Sequence, residues 1–183
     1  MLPSQAISSI EIIPRDRRAK FRFLSEALAQ LEDFPPFAGT AAMVETGGDP
    51  SHFVSDLTGT FAAVYLASAV DVMTTIAFIH CITAPAALRP MIPYLSHDSA
   101  HAAMRHAWQA AAALYVTFGR ASYPERMLDE AAENRDEMID RALANGDEHA
   151  IKLTEACLGE YALDPNPMYL AAACHATKTL GTN

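Results

Sequence analysis

The sequence predicts an all-α fold, a single domain of about seven or eight helices over residues 1–183. Apolar residues make up 51% of the chain, and alanine, the residue with the highest helix propensity, dominates them. The β-branched residues are not concentrated in the alternating runs that strands show. Helix-capping residues and prolines precede most of the apolar stretches. A chain of this length can also bury a real core.

The first third of the chain predicts one amphipathic helix followed by two breaks. Pro14 is expected to open a helix that ends before FPPF, because four apolar residues recur three or four positions apart and form one stripe: Phe21, Leu24, Leu28 and Leu31. The sequence ETGGDPS is the second break. Within it, Asp49 is placed to cap the next helix and Pro50 to begin it.

The middle of the chain predicts the centre of the fold. Helices are expected over residues 52–67 and 72–83, followed by a proline-bounded piece over 85–95. Ser96 is a good N-cap for a long helix that Gly119 would end. The most apolar stretches are 57–95 and 102–118, so we expect a buried central helix pair there.

Three further helices are expected in the last third. A charged helix would begin at Pro124 and close at Asn145 and Gly146, where glycine is typical of a helix end. Asp147 would cap the next helix, EHAIKLTEACLGEYAL. The sequence DPNP separates it from a final helix, MYLAAACHATKTL.

Charge and cysteine content narrow the functional classes. The formal net charge is −9, from 22 acidic against 13 basic residues, which argues against nucleic-acid binding. Three cysteines without CxxC spacing indicate reduced thiols and a cytoplasmic location. The N-terminus does not have the pattern of a signal peptide. No membrane span is expected in the stretch 57–95, because threonines and prolines interrupt it.

Two histidines lie four residues apart in HDSAHAAMRH. This spacing puts His97 and His101 on one helical face, as in metal-binding pairs. The glutamate of an HExxH motif is missing and no third ligand lies nearby, so a solvated pair is the alternative. His52, near a helix start, and His175, in the last helix, are interpreted as surface or packing residues.

His80 lies inside the apolar sequence IAFIHCITAP, in a helix that is apolar nearly all round. Such a helix is expected to be buried. A buried imidazole without a partner would cost about 1–3 kcal/mol. The candidate partners are Thr83 or a backbone carbonyl one turn back, a distant side chain, or a metal ion.

His149 and Lys152 are three residues apart and share one side of their helix. Both fall outside its apolar arc, which is typical of a solvated pair. Ala156 and Gly159 occupy the same side, although a solvated surface would ordinarily carry larger polar residues there. Small residues let another helix or a ligand approach closely, so both interpretations stay open.

Three blocks of the sequence carry a family resemblance: FIHCITAPAALRPMIPYL, RHAWQAAAALYVTFG and DEHAIKLTEACLGEYALDPNPMYLAAA. The first contains an Ile-His-x-x-Thr-x-x-x-Ala-Leu-Arg pattern and the third a His-x-x-Lys-Leu-Thr pattern. Over residues 34–173 the chain resembles the C-terminal half of questin oxidase-like proteins. These are oxygenases that act on aromatic polyketides such as anthraquinones.

The resemblance implies a helical fold and oxidative ring cleavage of dioxygenase or Baeyer–Villiger type. It also implies non-haem Fe(II) and O2, and leaves a need for NADPH open. Matched residue by residue, His80 and His149 would ligate the iron, and Lys152 would carry a carbamate whose oxygen is a third ligand. Burial near a metal would lower the pKa of that lysine, so that its neutral amine could trap CO2. Trp108 or Tyr115 would pack against the substrate ring, held between residues 61–82 and 108–118.

Members of that family are much longer, and their N-terminal half supplies further histidines and much of the substrate cavity. The match therefore predicts either a partner subunit that supplies the missing half or a homo-oligomer that rebuilds the site across an interface. A remnant that keeps the fold without the catalysis is the third interpretation. The alternative outside catalysis is a helical binding or structural subunit that lacks metal.

Overall fold

The computed structural model describes residues 1–120 and 134–181, and in those ranges the chain forms eight α-helices and five 3-10 turns. No strand occurs in that part of the chain, and the all-α single-domain prediction is confirmed. The helices are α1 (Pro3–Ala6), α2 (Leu24–Ala29), α3 (Pro50–Ser68), α4 (Val72–Leu88), α5 (His97–Phe118), α6 (Arg135–Asn145), α7 (Glu148–Leu163) and α8 (Pro167–Thr179).

The core forms where α3 and α4 pack along each other and against α5, α7 and α8. Acidic side chains begin both central helices. Asp49 accepts hydrogen bonds from the backbone of Ser51 and His52, and Asp71 accepts one from that of Thr74. The largest fully buried side chains come from α3, α4, α5 and α8: Trp108, Tyr65, Tyr169, Phe61 and Phe78.

One face of α4 is not covered. Phe78 and Ile82 are buried, but His80, Ala84 and Ala87 are exposed on another side of the helix. The segment Val72–Tyr94 is long and apolar enough to cross a membrane by length and composition, and 44% of its most apolar window is buried. The buried residues of this window are covered where α4 packs on α3, α5 and α7. Helix α4 is therefore covered on one side and open on the other.

The predicted helix from Pro14 is wrong for most of its length. The structure has a 3-10 turn at Arg15–Arg17, and helix starts only at α2. The Arg18 side chain donates to the carbonyl oxygens of Ile13 and Gly119, which ties this segment to the end of α5. Glu26 accepts from the backbone N–H groups of Arg22 and Phe23 just before α2. In this segment, contacts with distant parts of the chain determine the backbone conformation, and the spacing of the apolar residues does not.

The predicted boundary at Pro85 is also wrong, because α4 continues through it to Leu88. An interior proline costs a helix about 3 kcal/mol, and here the ring is buried in the core, which offsets that cost. The helix then tightens into a 3-10 turn over Arg89–Tyr94.

The end of α6 and the start of α7 fall at the predicted residues. Gly146, with a φ of 75°, ends α6, and Asp147 caps α7. The predicted start of the charged helix at Pro124 lies outside the described residues. Cys81, Cys157 and Cys174 are free and buried. Burial raises the pKa of the Cys81 and Cys157 thiols well above their ordinary range.

Candidate functional site

Two histidines far apart in the sequence meet at the surface between α4 and α7. The ring centres of His80 and His149 lie 5.8 Å apart, with the ring planes at 71°. Imidazoles that bind one metal at nitrogen distances of about 2.1 Å have ring centres roughly 5 Å apart. The observed separation is therefore close to what a shared ion needs.

Asp147 holds His149 in place. One carboxylate oxygen, Oδ1, accepts the backbone N–H of His149 at 2.8 Å and lies 3.2 Å from its ring Nδ1. A carboxylate at Nδ1 favours the tautomer with the proton on that nitrogen. The lone pair of Nε2 is then free to bind a ligand.

Asp147 also caps α7, and two substitutions separate its roles. Asp147→Ala should lower the free energy of unfolding by about 1 kcal/mol, because the cap is lost. Asp147→Asn should change the free energy of unfolding by only a few tenths of a kcal/mol, since asparagine caps a helix equally well. Urea denaturation of both variants measures this difference. Equal losses would show that the charge, rather than the cap, stabilises this helix start.

The structure places His80 on an exposed face, so the prediction that it is buried is wrong. The apolar residues around it fill other sides of α4. Partial desolvation lowers the pKa of His80, and the nearby His149 and Lys152 lower it further, while Glu148 opposes them. The ring therefore stays neutral, the form that binds metals. Because water reaches the His80 ring, its nitrogens need neither a metal ion nor Thr83 as a hydrogen-bond partner. The Thr83 hydroxyl donates instead to the carbonyl oxygen of Ile79.

Lys152 lies one turn from His149 and is paired with an acid. Its Nζ donates to Glu148 Oε2 at 2.6 Å, and the two side chains are 61% and 68% exposed. The hydrogen bond from Lys152, and then its charge, lower the pKa of Glu148. Carbamate formation was predicted to need burial of the amine, and within this chain Lys152 is not buried.

The chemistry of His80, His149 and Lys152 fits part of a metal centre. No group of three or more His, Cys, Asp or Glu side chains in the described ranges is close enough to hold a metal ion. The histidine pair would supply two nitrogen ligands, and a third would have to come from a modified Lys152 or from another chain.

The other histidines do not add to this pair. The rings of His97 and His101 lie 4.0 Å apart in the first turns of α5, and His97 faces solvent beside Asp98. His52 is exposed at the start of α3. His175 is partly buried, and its Nδ1 lies 2.9 Å from the Tyr65 hydroxyl between α8 and α3.

The two predicted substrate contacts lie elsewhere in the fold. Trp108 is fully buried, stacks edge-on against Phe61 and donates its indole N–H to the Thr40 carbonyl at 2.8 Å. Tyr115 is partly buried, and desolvation raises the pKa of its hydroxyl. Neither side chain lines the open space between α4 and α7, and neither His80 nor His149 does so.

That space is a groove of about 580 Å³ between α4 and α7. Small residues form much of it, including the Ala156 and Gly159 that the sequence singled out and a second pair on α4, Ala84 and Ala87. Further lining comes from Thr83, Ala86, Arg89, Pro90, Lys152, Glu155, Glu160 and Leu163.

An ion pair forms part of the groove lining, and sequence reasoning did not find it. Arg89 donates from Nε and Nη2 to the two oxygens of Glu160, at 2.9 and 2.6 Å. The Glu160 side chain is 4% exposed. Thr58 also donates to Glu160, and its hydroxyl lies 2.8 Å from that of Tyr169. The signal for this ion pair in the sequence was Arg89, a single arginine in an apolar stretch, because a buried charge needs a partner.

The two polar pairs fix the relative direction of the helices. His80 faces His149, and Arg89 faces Glu160 about ten residues further along each chain segment. The helices α4 and α7 therefore run parallel, and the groove lies between them. Comparison of the chain with protein-family models, curated proteins and solved structures finds no match.

Proposed function

We propose that this chain is one part of a non-haem iron oxygenase of the questin oxidase type, which cleaves a ring of an aromatic polyketide such as an anthraquinone. The observation that carries the proposal is the meeting of His80 and His149, the two histidines that the family resemblance selects, at 5.8 Å. Nothing in their separation along the sequence requires this meeting.

Each residue has a defined role in this proposal. His80 and His149 would hold Fe(II) through ring nitrogens, and a carbamate on Lys152 would be the oxygen ligand. Bound iron would supply the activation of O2. Asp147 orients the His149 ring, and the lowered pKa of His80 keeps its ring unprotonated at neutral pH.

A partner or a second copy of the chain completes the site in this proposal. The exposed Lys152 must be covered before its amine can lose its proton and bind CO2. The open face that includes Ala84, Ala87 and Leu163 provides an apolar surface for such a cover. A cytoplasmic location is part of the proposal and agrees with the three free thiols.

Metal analysis of protein from iron-supplemented cells tests the proposal. We expect roughly one iron per chain, lost in His80→Ala and in His149→Ala because each removes a ligand. His52→Ala, an exposed histidine on α3, is the matched control and should keep its iron. Electron density for a carbamate on Lys152, in crystals grown with bicarbonate, would identify the third ligand.

A second candidate function is a metal-free binding protein, and the groove of about 580 Å³ favours it. Protein that holds no iron, and whose unfolding is insensitive to chelator and to His149→Ala, would replace the oxygenase with this candidate. Co-purification of a larger subunit would instead identify the partner that the oxygenase requires.

A further inference from the structure

Two histidines at the start of α5 form a second imidazole pair. The rings of His97 and His101 have their centres 4.0 Å apart and their planes at 38°. This closeness follows from the helix itself, because residues four apart lie on one face with Cβ atoms about 5–6 Å apart. The function proposed above does not use this pair, so its chemistry is open to a separate role.

The start of α5 is firmly held, which keeps the two histidines at this spacing. Ser96 caps the helix by accepting the backbone N–H of Ser99. Ala100 and Met104, on another side of the same turns, are buried. An ion that binds both rings therefore does not have to order the helix first, and ordering is one of the main costs of binding.

Both rings can be reached from solvent. The His97 side chain is 79% exposed, and Asp98 Oδ1 lies 3.5 Å from its Nδ1. A carboxylate on that side favours the tautomer that leaves Nε2 free to bind, and its charge opposes the repulsion of a cation by the helix N-terminus. His101 is partly buried. A Cβ at Gly47 would lie 3.9 Å from His101 Cε1, so the glycine leaves this ring edge uncovered.

The geometry needs one small adjustment to hold an ion. Imidazoles that share a metal have ring centres roughly 5 Å apart, so the rings of His97 and His101 are about 1 Å too close. Exposed side chains change rotamer within nanoseconds, and an outward turn of the His97 ring supplies this distance. Among the described residues no third His, Cys, Asp or Glu joins the pair. Water would fill the remaining coordination positions.

We propose that His97 and His101 form a site for one divalent transition-metal ion of the zinc, copper and nickel class. Imidazole nitrogens suit these ions, whereas magnesium and calcium prefer oxygen ligands. The site is separate from His80 and His149 and does not depend on iron there. Because only two ligands come from the protein, the ion exchanges with solution, unlike the ion of a closed four-ligand site.

Calorimetric titration of the metal-free His149→Ala variant with Zn²⁺ tests the proposal. This background removes one histidine of the other pair and leaves α5 unchanged. We expect roughly one ion per chain, with affinity lowered about tenfold or more when His97→Asn or His101→Asn is added. His106→Asn, which replaces an exposed histidine of the same helix, is the matched control and should leave the affinity unchanged.

Thermal unfolding of the same variants gives a second measurement. Saturating Zn²⁺ should raise the thermal midpoint of the His149→Ala variant and of its His106→Asn derivative, because the folded helix holds the two rings together and the unfolded chain does not. The midpoint should stay unchanged when His97 or His101 is replaced. Zn²⁺ binding that survives both of these substitutions, or a starting variant that does not bind Zn²⁺, overturns the proposal.

Discussion

Arg89→Ala is expected to lower the free energy of unfolding by about 3–5 kcal/mol, the usual loss when one partner of a buried ion pair is removed. The substitution leaves the Glu160 carboxylate, 4% exposed, without its two charged hydrogen bonds. Urea denaturation followed by circular dichroism measures the loss. The matched control is Arg105→Ala on the exposed face of α5, which should change stability by less than about 0.5 kcal/mol.

A double variant identifies the cause of that loss. Adding Glu160→Gln to Arg89→Ala should recover part of the stability, because a neutral amide needs no counter-charge and can still bond to Thr58. If Arg89→Ala costs less than about 1 kcal/mol, or if the second change recovers nothing, the ion pair does not have the structural role described here.

Trp108→Ala is expected to lower the free energy of unfolding by about 3–5 kcal/mol, as large core aromatics do when truncated. The indole is fully buried against Phe61 and satisfies the Thr40 carbonyl. Trp108→Phe keeps most of the volume and should cost only about 1–2 kcal/mol, mainly for the lost hydrogen bond. Chemical denaturation of both variants gives the two values.

The same pair of variants tests where a ligand binds. Trp108→Phe should bind dihydroxyanthraquinone as the natural sequence does, because Trp108 does not line the groove. A loss of binding with little loss of stability would return Trp108 to the role of substrate contact that the sequence predicted.

Local chemistry explains why the fold class and many helix ends were predictable. Asp49, Ser96 and Asp147 cap helices at the predicted positions, because each accepts a hydrogen bond from a backbone N–H only two or three residues away. The first predicted helix failed where distant groups decide the backbone. Arg18, bound to the Gly119 carbonyl, is one of them, and sequence spacing has no access to such a contact.

The candidate site was predictable only in part for a similar reason. The spacing of Lys152, Ala156 and Gly159 indicated one side of a helix, and the groove lies there. Apolar composition could not tell which face of α4 is covered, because small alanines such as Ala84 suit a buried face and an open one equally. His80 was therefore expected in the core and is exposed.

The parallel course of α4 and α7 ties ligand affinity to the folding equilibrium. Parallel neighbours cannot be joined by a tight turn, so His80 and His149, which are far apart in the sequence, become neighbours only when the chain folds. A denatured chain offers no such pre-arranged partners. Any species that bridges both helices must therefore stabilise the native state by mass action, by RT ln(1 + [L]/Kd), where [L] is its free concentration and Kd its dissociation constant.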